Sequence, residues 1–215
     1  MEVFRLVFSP IEVNTYILAD SSGKCAVIDC GCYNSSEFKS LSLFLEKKNL
    51  TPELLLNTHC HLDHIFGNRM FLEKYNLGTF CHILEEENRN DSKSHAMLFG
   101  LSMEKPPEPA GFLNDGDTVT FGSETLQVLF VPGHTTGSIA FYGSKRGVVF
   151  TGDALFSGSI GRTDLPGGNY DTLIHSINSK LFVLPPSTIV YPGHGDATTI
   201  ERELKTNPYF NNANS

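Results

Sequence analysis

The sequence predicts a mixed α/β chain in which two β-sheets are covered by helices, folded as a single domain over residues 1–215. Short apolar runs of strand length, bounded by glycine or charge, recur along the chain. Between them lie segments whose apolar residues repeat at helical spacing. No linker, short-period repeat or low-complexity stretch separates one part from another.

Thr15 to Ala19 and Cys25 to Ile28 read as a hairpin, with Gly23 supplying the tight turn. Ser35 or Ser36 is expected to cap a helix carrying Phe38, Leu41, Phe44 and Leu45 on one face. Leu54 to Leu56 form a short buried strand, and Ile65 to Tyr75 a helix that stops near Asn76 and Gly78. Residues 84–110 differ in composition. Glu85, Glu86 and Glu87 suggest a solvated helix face, and Pro106, Pro107 and Pro109 an irregular connection at the rim of a site. Strands follow at Thr118 to Phe121, Leu126 to Phe130, Ile139 to Tyr142 and Val148 to Thr151, then a helix around Tyr170 to Leu181 and a last strand at Thr188 to Tyr191.

A chain of 215 residues can bury about 70% of its unfolded surface in one core, so it needs no disulfide framework. Its five cysteines are an odd number without metal-finger spacing, and Cys30 and Cys32 stand too close for an easy bridge, so free thiols in a reducing compartment are expected. The start Met1-Glu2-Val3-Phe4 lacks a basic region followed by an apolar core, and no stretch approaches the ~20 apolar residues of a membrane span. A cytoplasmic protein is the expectation. The formal net charge of -8 argues against a nucleic-acid partner, because duplex binding relies on lysine and arginine replacing counterions. The oligomeric state is left open.

Against this ordinary background, Thr58-His59-Cys60-His61-Leu62-Asp63-His64 crowds three imidazoles and a carboxylate into six positions. Neutral imidazole and ionised carboxylate are ligands for zinc and for borderline ions such as iron and manganese. Without metal, each ring would need its own hydrogen-bond partner. His59 and His61, two apart on an extended segment, project to one side. The following residues begin a helix and turn Asp63 and His64 elsewhere, so one segment can feed two adjacent metals. Cys60, between the two ligands, is expected to point away from them. Three later strand ends each present one further donor: His134 between Gly133 and Gly137, Asp153 after Gly152, and His194 after Gly193. Glycine lets the backbone fold tightly there and aim the side chain back over the strand end.

With these motifs in their order along nearly the whole chain, the sequence resembles the metallo-beta-lactamase-fold hydrolases. The resemblance implies a four-layer αββα sandwich. It further implies one metal held by His59, His61 and His134, a second held by Asp63, His64 and His194, and Asp153 bridging both. The zinc beta-lactamases of the main subclass carry cysteine at the place of Asp153 and arginine at that of His64, so antibiotic hydrolysis is disfavoured. Residues 150–168, with Gly152-Asp153 and Gly161-Arg162-Thr163-Asp164, resemble hydroxyacylglutathione hydrolase (glyoxalase II) and its relatives. The short tail after His194 resembles the single-domain glyoxalase II-like branch, without the helical domain that grips glutathione.

The expected activity is hydrolysis of a small-molecule thioester. Two divalent ions, zinc in the first instance and iron or manganese otherwise, would bridge a water and lower its pKa toward neutrality. The resulting hydroxide would attack the carbonyl. Asp63 and Asp153 would serve catalysis as metal ligands, since a carboxylate so committed cannot also be a general base. Asp29, at the end of a buried strand, is a candidate to orient a ligand histidine. Arg162 and Asp164 are candidates to brace the loop after Asp153 as an ion pair, and Tyr170 to touch substrate. His82, His95 and His175 lack ligand spacing. The rivals are a persulfide dioxygenase, which by resemblance would hold a single iron using His59, His134 and Asp153, a lactone hydrolase, and a non-catalytic metal-binding module.

Overall fold

A computed structural model describes residues 1–210; the last five residues of the tail expected after His194 lie outside the described residues. The chain divides into two compact units: Met1–Leu113 with Thr120–Thr125, and Asn114–Val119 with Leu126 onward.

The first unit holds a six-stranded sheet in simple order, β1 (Glu2–Phe8), β2 (Val13–Ala19), β3 (Lys24–Ile28), β4 (Thr51–Leu56), β5 (Thr79–Cys81) and β6 (Gly111–Phe112). β1, β2 and β3 are antiparallel, and β3 through β6 run parallel. The parallel half is built by crossovers: α1 (Ser35–Lys47) joins β3 to β4, α2 (Leu62–Ile65) and α3 (Asn68–Tyr75) join β4 to β5, and α4 (Glu86–Leu98) precedes β6. β1, an apolar run cut by Glu2 and Arg5, was not among the expected strands. It pairs along its whole length with β2, which is buried from end to end. Ile17, Val27, Leu41, Leu45, Leu55 and Phe71 form the core of this unit.

Two expectations here need correction. α1 is capped by Asn34, not by Ser35 or Ser36: Asn34 is extended and its side chain accepts from the amides of Ser36 and Glu37. Glu37 in turn accepts from the Tyr33 amide at 2.8 Å, a reciprocal arrangement close to a capping box. The helix expected from Ile65 to Tyr75 is two helices. The break falls at Gly67, whose amide bonds the Cys30 carbonyl at 2.8 Å and where a Cβ would strike Cys30 Sγ. Backbone approach to the end of β3 thus prevails over helical continuity. α3 does end at Asn76, which adopts the left-handed conformation.

The second unit carries the other six-stranded sheet, in the order β14-β13-β10-β9-β8-β7, apart from the β7–β8 hairpin tip that is counted in the first unit. The strands are β7 (Thr118–Phe121), β8 (Glu124–Phe130), β9 (Ile139–Gly143), β10 (Val148–Gly152), β13 (Ile189–Pro192) and β14 (Thr198–Thr199), with β11 (Leu155–Phe156) and β12 (Ser159–Ile160) as a separate small hairpin. β8 and β10 are both antiparallel to β9, and β13 is parallel to β10, so the carboxyl ends of β8, β10 and β13 emerge at one edge. α5 (Tyr170–Ser176) continues as a π-helical turn through Leu181, and α6 (Ile200–Thr206) follows β14. Leu129, Val149, Leu173, Ile177, Leu181 and Val190 form this core. Among the described residues no helix is long and apolar enough to cross a membrane, and all five cysteines are free and buried.

Candidate metal centre

In the first unit, the carboxyl ends of the adjacent parallel strands β3, β4 and β5 lead into Asp29, the histidine run and Glu85. Loops at that end of a parallel sheet are the usual carriers of chemistry. Asn57 leaves β4 with its amide on the Phe80 carbonyl at 2.9 Å. Its side chain donates to the His64 carbonyl (2.9 Å) and accepts from Asn68 (2.7 Å) and Thr79 (2.6 Å). The turn from strand to α2 is closed by these bonds. The buried His59 ring lies 4.8 Å from that of His61 and 4.0 Å from that of His64, centroid to centroid. Asp63 and His64 sit on α2 with Oδ2 and Nε2 3.6 Å apart.

Asp29 organises this group from behind. It is buried, adopts φ +54°, and its carboxylate accepts from the Thr58 amide (2.8 Å), the Thr58 hydroxyl (2.7 Å) and His64 Nδ1 (2.9 Å). Because the Thr58 hydroxyl gives its proton to Asp29, its oxygen accepts from His59 Nδ1, 3.1 Å away. Both histidines therefore carry the proton on Nδ1 and the ligating lone pair on Nε2, the tautomer a metal takes. Cys60 packs with Ile65 and Cys81, and its thiol is pushed well above the ordinary range by its bond to Cys81 and by burial. It is an inert neighbour of the ligands.

In the second unit the donors come from separate strand ends. His134 follows β8 on a turn in which Gly133 holds φ +128° and lies against the backbone of Leu173, where no Cβ fits. His134 Nδ1 donates to the Arg162 carbonyl at 2.8 Å, which fixes the same tautomer. Asp153 follows Gly152, at φ +50°, at the end of β10, and its Oδ2 lies 3.7 Å from Nε2 of His134 and 3.7 Å from Nε2 of His194, which follows β13. The Gly193 amide bonds the Gly152 carbonyl at 2.8 Å and ties these two strand ends together. Gly161 rests directly on the Asp153 carbonyl, with His134 Nδ1 beside it.

The donor chemistry fits divalent metal. Ligand atoms around a tetrahedral ion with bonds of about 2.1 Å lie about 3.4 Å apart, close to the separations of 3.6 Å for Asp63–His64 and 3.7 Å for His134–Asp153 and Asp153–His194.

The other expected residues fare differently. The Arg162–Asp164 ion pair forms as a two-pronged contact at 2.8 and 2.9 Å, but both side chains are largely exposed. Arg162 reaches a candidate ligand through its carbonyl instead. Tyr170 opens α5 and is 47% exposed. His82 is buried and caps the short 3-10 turn Ile83–Glu85 by accepting from the Leu84 amide, while His175 is exposed. The acidic run does not form one solvated face: Glu85 is fully buried, and only Glu87 is exposed. Asn57, Thr58, Asn68 and Gly161 were not anticipated. Asn57 and Thr58 abut the histidine run, which is the one signal that points to them; Asn68 reaches it only through the fold. A cavity of about 500 Å³ in the first unit is lined by Tyr33, Ile65, Phe66, Arg69, Met103 and Pro106 among others, which places the proline connection beside the end of α2.

Two helix-flanked sheets that carry imidazoles and carboxylates at their strand ends define a class of protein equipped for divalent metal. Within that class the chain belongs to the metallo-beta-lactamase superfamily, whose family model matches residues 9–194, and it has that fold. Among its relatives, the probable metallo-hydrolase YqgX of Bacillus subtilis (strain 168) is 36% identical over 208 residues, covering 96% of each chain. The hydroxyacylglutathione hydrolase GloC of Haemophilus influenzae is 35% identical over 215 residues, covering 98% of this chain and 99% of that one. Two solved structures are also similar. The BLEG-1 B3 metallo-beta-lactamase has a TM-score of 0.90 at 32% identity, with 98% of this chain and 100% of that chain covered. TTHA1623 in a di-iron-bound form has a TM-score of 0.86 at 38% identity, with 96% and 99% covered. The chain is thus a metal-dependent hydrolase by family.

Proposed function

We propose that the chain works as one domain that hydrolyses a small-molecule thioester with two divalent ions, one held by His59, His61 and His134, the other by Asp63, His64 and His194, with Asp153 shared. The observation that carries this reading is the fixed tautomer of the histidines: Asp29, Thr58 and the Arg162 carbonyl each occupy an Nδ1 and commit Nε2 to ligation. Two such ions, when bound, bring the pKa of water toward neutrality and polarise a carbonyl. The chain's own residues supply position and charge. Asp63 and Asp153 would lower the net charge of the ions, and Asp153 would hold them together, while Asp29 and the Arg162 carbonyl keep the imidazoles from turning.

The thioester is supported by similarity to the hydroxyacylglutathione hydrolase GloC across 98% of this chain. The paired-ion reading is supported by similarity to TTHA1623, solved with two irons. We read zinc as the resident metal, with iron or manganese as alternatives, and the cytoplasm as the place of work, in keeping with the five free thiols.

The test is metal content of protein purified without oxygen, followed by turnover of the same sample on hydroxyacyl thioesters, lactones, beta-lactams and, with oxygen electrode, glutathione persulfide. Thioester hydrolysis at two ions per chain is expected. Oxygen uptake at one iron per chain would replace the reading with a persulfide dioxygenase, and beta-lactam turnover above thioester turnover would move the chain toward the lactamase seen among its structural neighbours.

A further inference from the structure

The Cys60 amide lies in the chain between the candidate ligands His59 and His61, and it donates to Oε2 of Glu85 at 2.7 Å. Glu85 is 0% exposed, and the same oxygen accepts from Asn88 Nδ2 at 3.0 Å. It is delivered by the 3-10 turn that follows β5, the strand next to the one that delivers the histidines. That turn is itself fixed, since the Glu85 amide bonds the His82 carbonyl at 3.0 Å and His82 caps it. The loop is therefore tied at two points to the same neighbouring segment: at Asn57 by the Phe80 carbonyl and at Cys60 by Glu85. Rotation of the His59–Cys60 peptide would move the two imidazoles relative to each other, and the Glu85 bond to the Cys60 amide opposes that rotation. A buried carboxylate is costly to desolvate, and the bonds from Cys60 and Asn88 offset part of that cost. A charge-assisted bond is shorter and stiffer than a neutral one, which suits a clamp on ligand geometry.

We propose that Glu85 is a positioning residue of the metal centre, holding the His59–His61 segment in its ligating conformation through the Cys60 amide. This rests on the metal-dependent reading above, and its test separates the two. Metal-free wild type and the variants Glu85→Ala, Glu85→Asp and Glu85→Gln are titrated with zinc, alongside Glu87→Ala as the exposed neighbour, and the thermal midpoint of each metal-free protein is recorded. Loss of such a supporting contact weakens metal binding by about 10- to 100-fold. That loss is expected for Glu85→Ala and Glu85→Asp, the latter keeping the charge but falling one methylene short. Glu85→Gln, whose carbonyl can still accept from Cys60 but without the charge, is expected to fall between Glu85→Ala and wild type, and Glu87→Ala to match wild type. Faster hydrogen exchange at the Cys60 amide of metal-free Glu85→Asp, at an unchanged midpoint, is the second expected signature. Wild-type zinc affinity in a folded Glu85→Asp, or an unchanged Cys60 exchange rate, overturns the positioning role. A wild type that takes up no zinc, iron or manganese overturns the metal reading instead.

Discussion

In the first unit all four candidate ligands come from one run of six residues, and two of them, His59 and His64, are held by side chains: Asp29 on His64 and Thr58, Thr58 on His59, Asn57 on the His64 carbonyl. In the second unit the three candidates come from three strand ends and are held by main chain: the Arg162 carbonyl on His134, the Gly193 amide on the Gly152 carbonyl, and Gly161 against the carbonyl of Asp153. A contiguous run leaves the sheet ladder behind, so its rings rest on side chains of the residues just before it, Asn57 and Thr58, and of the neighbouring strand end, Asp29. A donor at a strand end is already placed by the sheet and needs only room to turn. Failure should accordingly be chemical in the first unit and steric in the second.

The largest effect is expected from Gly161→Ala. The added Cβ would overlap the Asp153 carbonyl oxygen and crowd His134 Nδ1, so two candidate ligands would shift together. Metal affinity should fall by about 100-fold, the upper end for loss of ligand support, while far-UV circular dichroism stays near wild type. Near-normal metal uptake in this variant would remove the steric half of the contrast. Gly133→Ala should behave alike, since φ +128° and the Leu173 backbone both exclude a side chain.

Asp29 tests the chemical half. Asp29→Ala would leave the donors on Thr58, Asn57 and His64 without their buried acceptor, each at about 1–3 kcal/mol, and loss of stability as well as metal is expected in a urea melt. Asp29→Asn keeps the shape and tolerates the left-handed backbone. It should fold, with metal binding weakened by about tenfold. Equal metal affinity in Asp29→Asn and wild type would show that the carboxylate charge is not what holds His64.

A related contrast appears in the hairpins, where both turns have backbone closures but the β2–β3 turn adds a carboxylate. The β2–β3 turn of the first unit is organised by Asp20, whose carboxylate accepts from the Ser22 hydroxyl and amide and from the amides of Lys24 and Ser123. These bonds hold its pKa well below the carboxylate range, although burial opposes them. The β9–β10 turn of the second unit is closed by backbone bonds from Arg146 to Gly143 and from Gly147 to Ser144. A depressed folded-state pKa contributes stability that is complete above the unfolded value, near 4, and fades as pH falls toward the folded value. Asp20→Asn should therefore be less stable than wild type at pH 7, with the gap narrowing as the pH is lowered below about 4. A gap that is constant with pH would mean that the amide substitutes fully for the carboxylate.

What the sequence disclosed follows the same line. Donors stand out where their identity is chemically unusual: seven histidines and aspartates at strand ends, four of them in one run, announce metal by composition alone. Short apolar runs bounded by turn residues, and helical spacing, likewise mark β2, β3, α1 and α5 within a few residues. The supports are less visible, because their role depends on which strands become neighbours. Glu85 sits in an acidic run that reads as a solvated face, and only the pairing of β4 with β5 turns it inward toward Cys60. Gly67 breaks an apparently continuous helix for a contact with Cys30, distant in sequence. Asn34 rather than a serine caps α1, because an extended residue one position earlier reaches both amides.

Arg162 brings the smallest expected effect and the sharpest distinction. Its guanidinium pairs with Asp164 in the open, and each shifts the other's pKa in the direction of a stable pair, Arg162 upward and Asp164 down to about 2. Such an exposed pair is worth little in water, where solvent and salt screen it. The bond that matters to His134 is made by the Arg162 carbonyl, which any residue supplies. Arg162→Ala should therefore leave zinc affinity and thermal midpoint close to wild type, within about twofold in affinity, while Gly161→Ala, one residue away, removes both ligands from position. If Arg162→Ala instead slows thioester turnover without changing metal binding, its side chain meets the substrate. The loop after Asp153 would then have two functions, the main chain setting the ligand and the side chain selecting what reaches it.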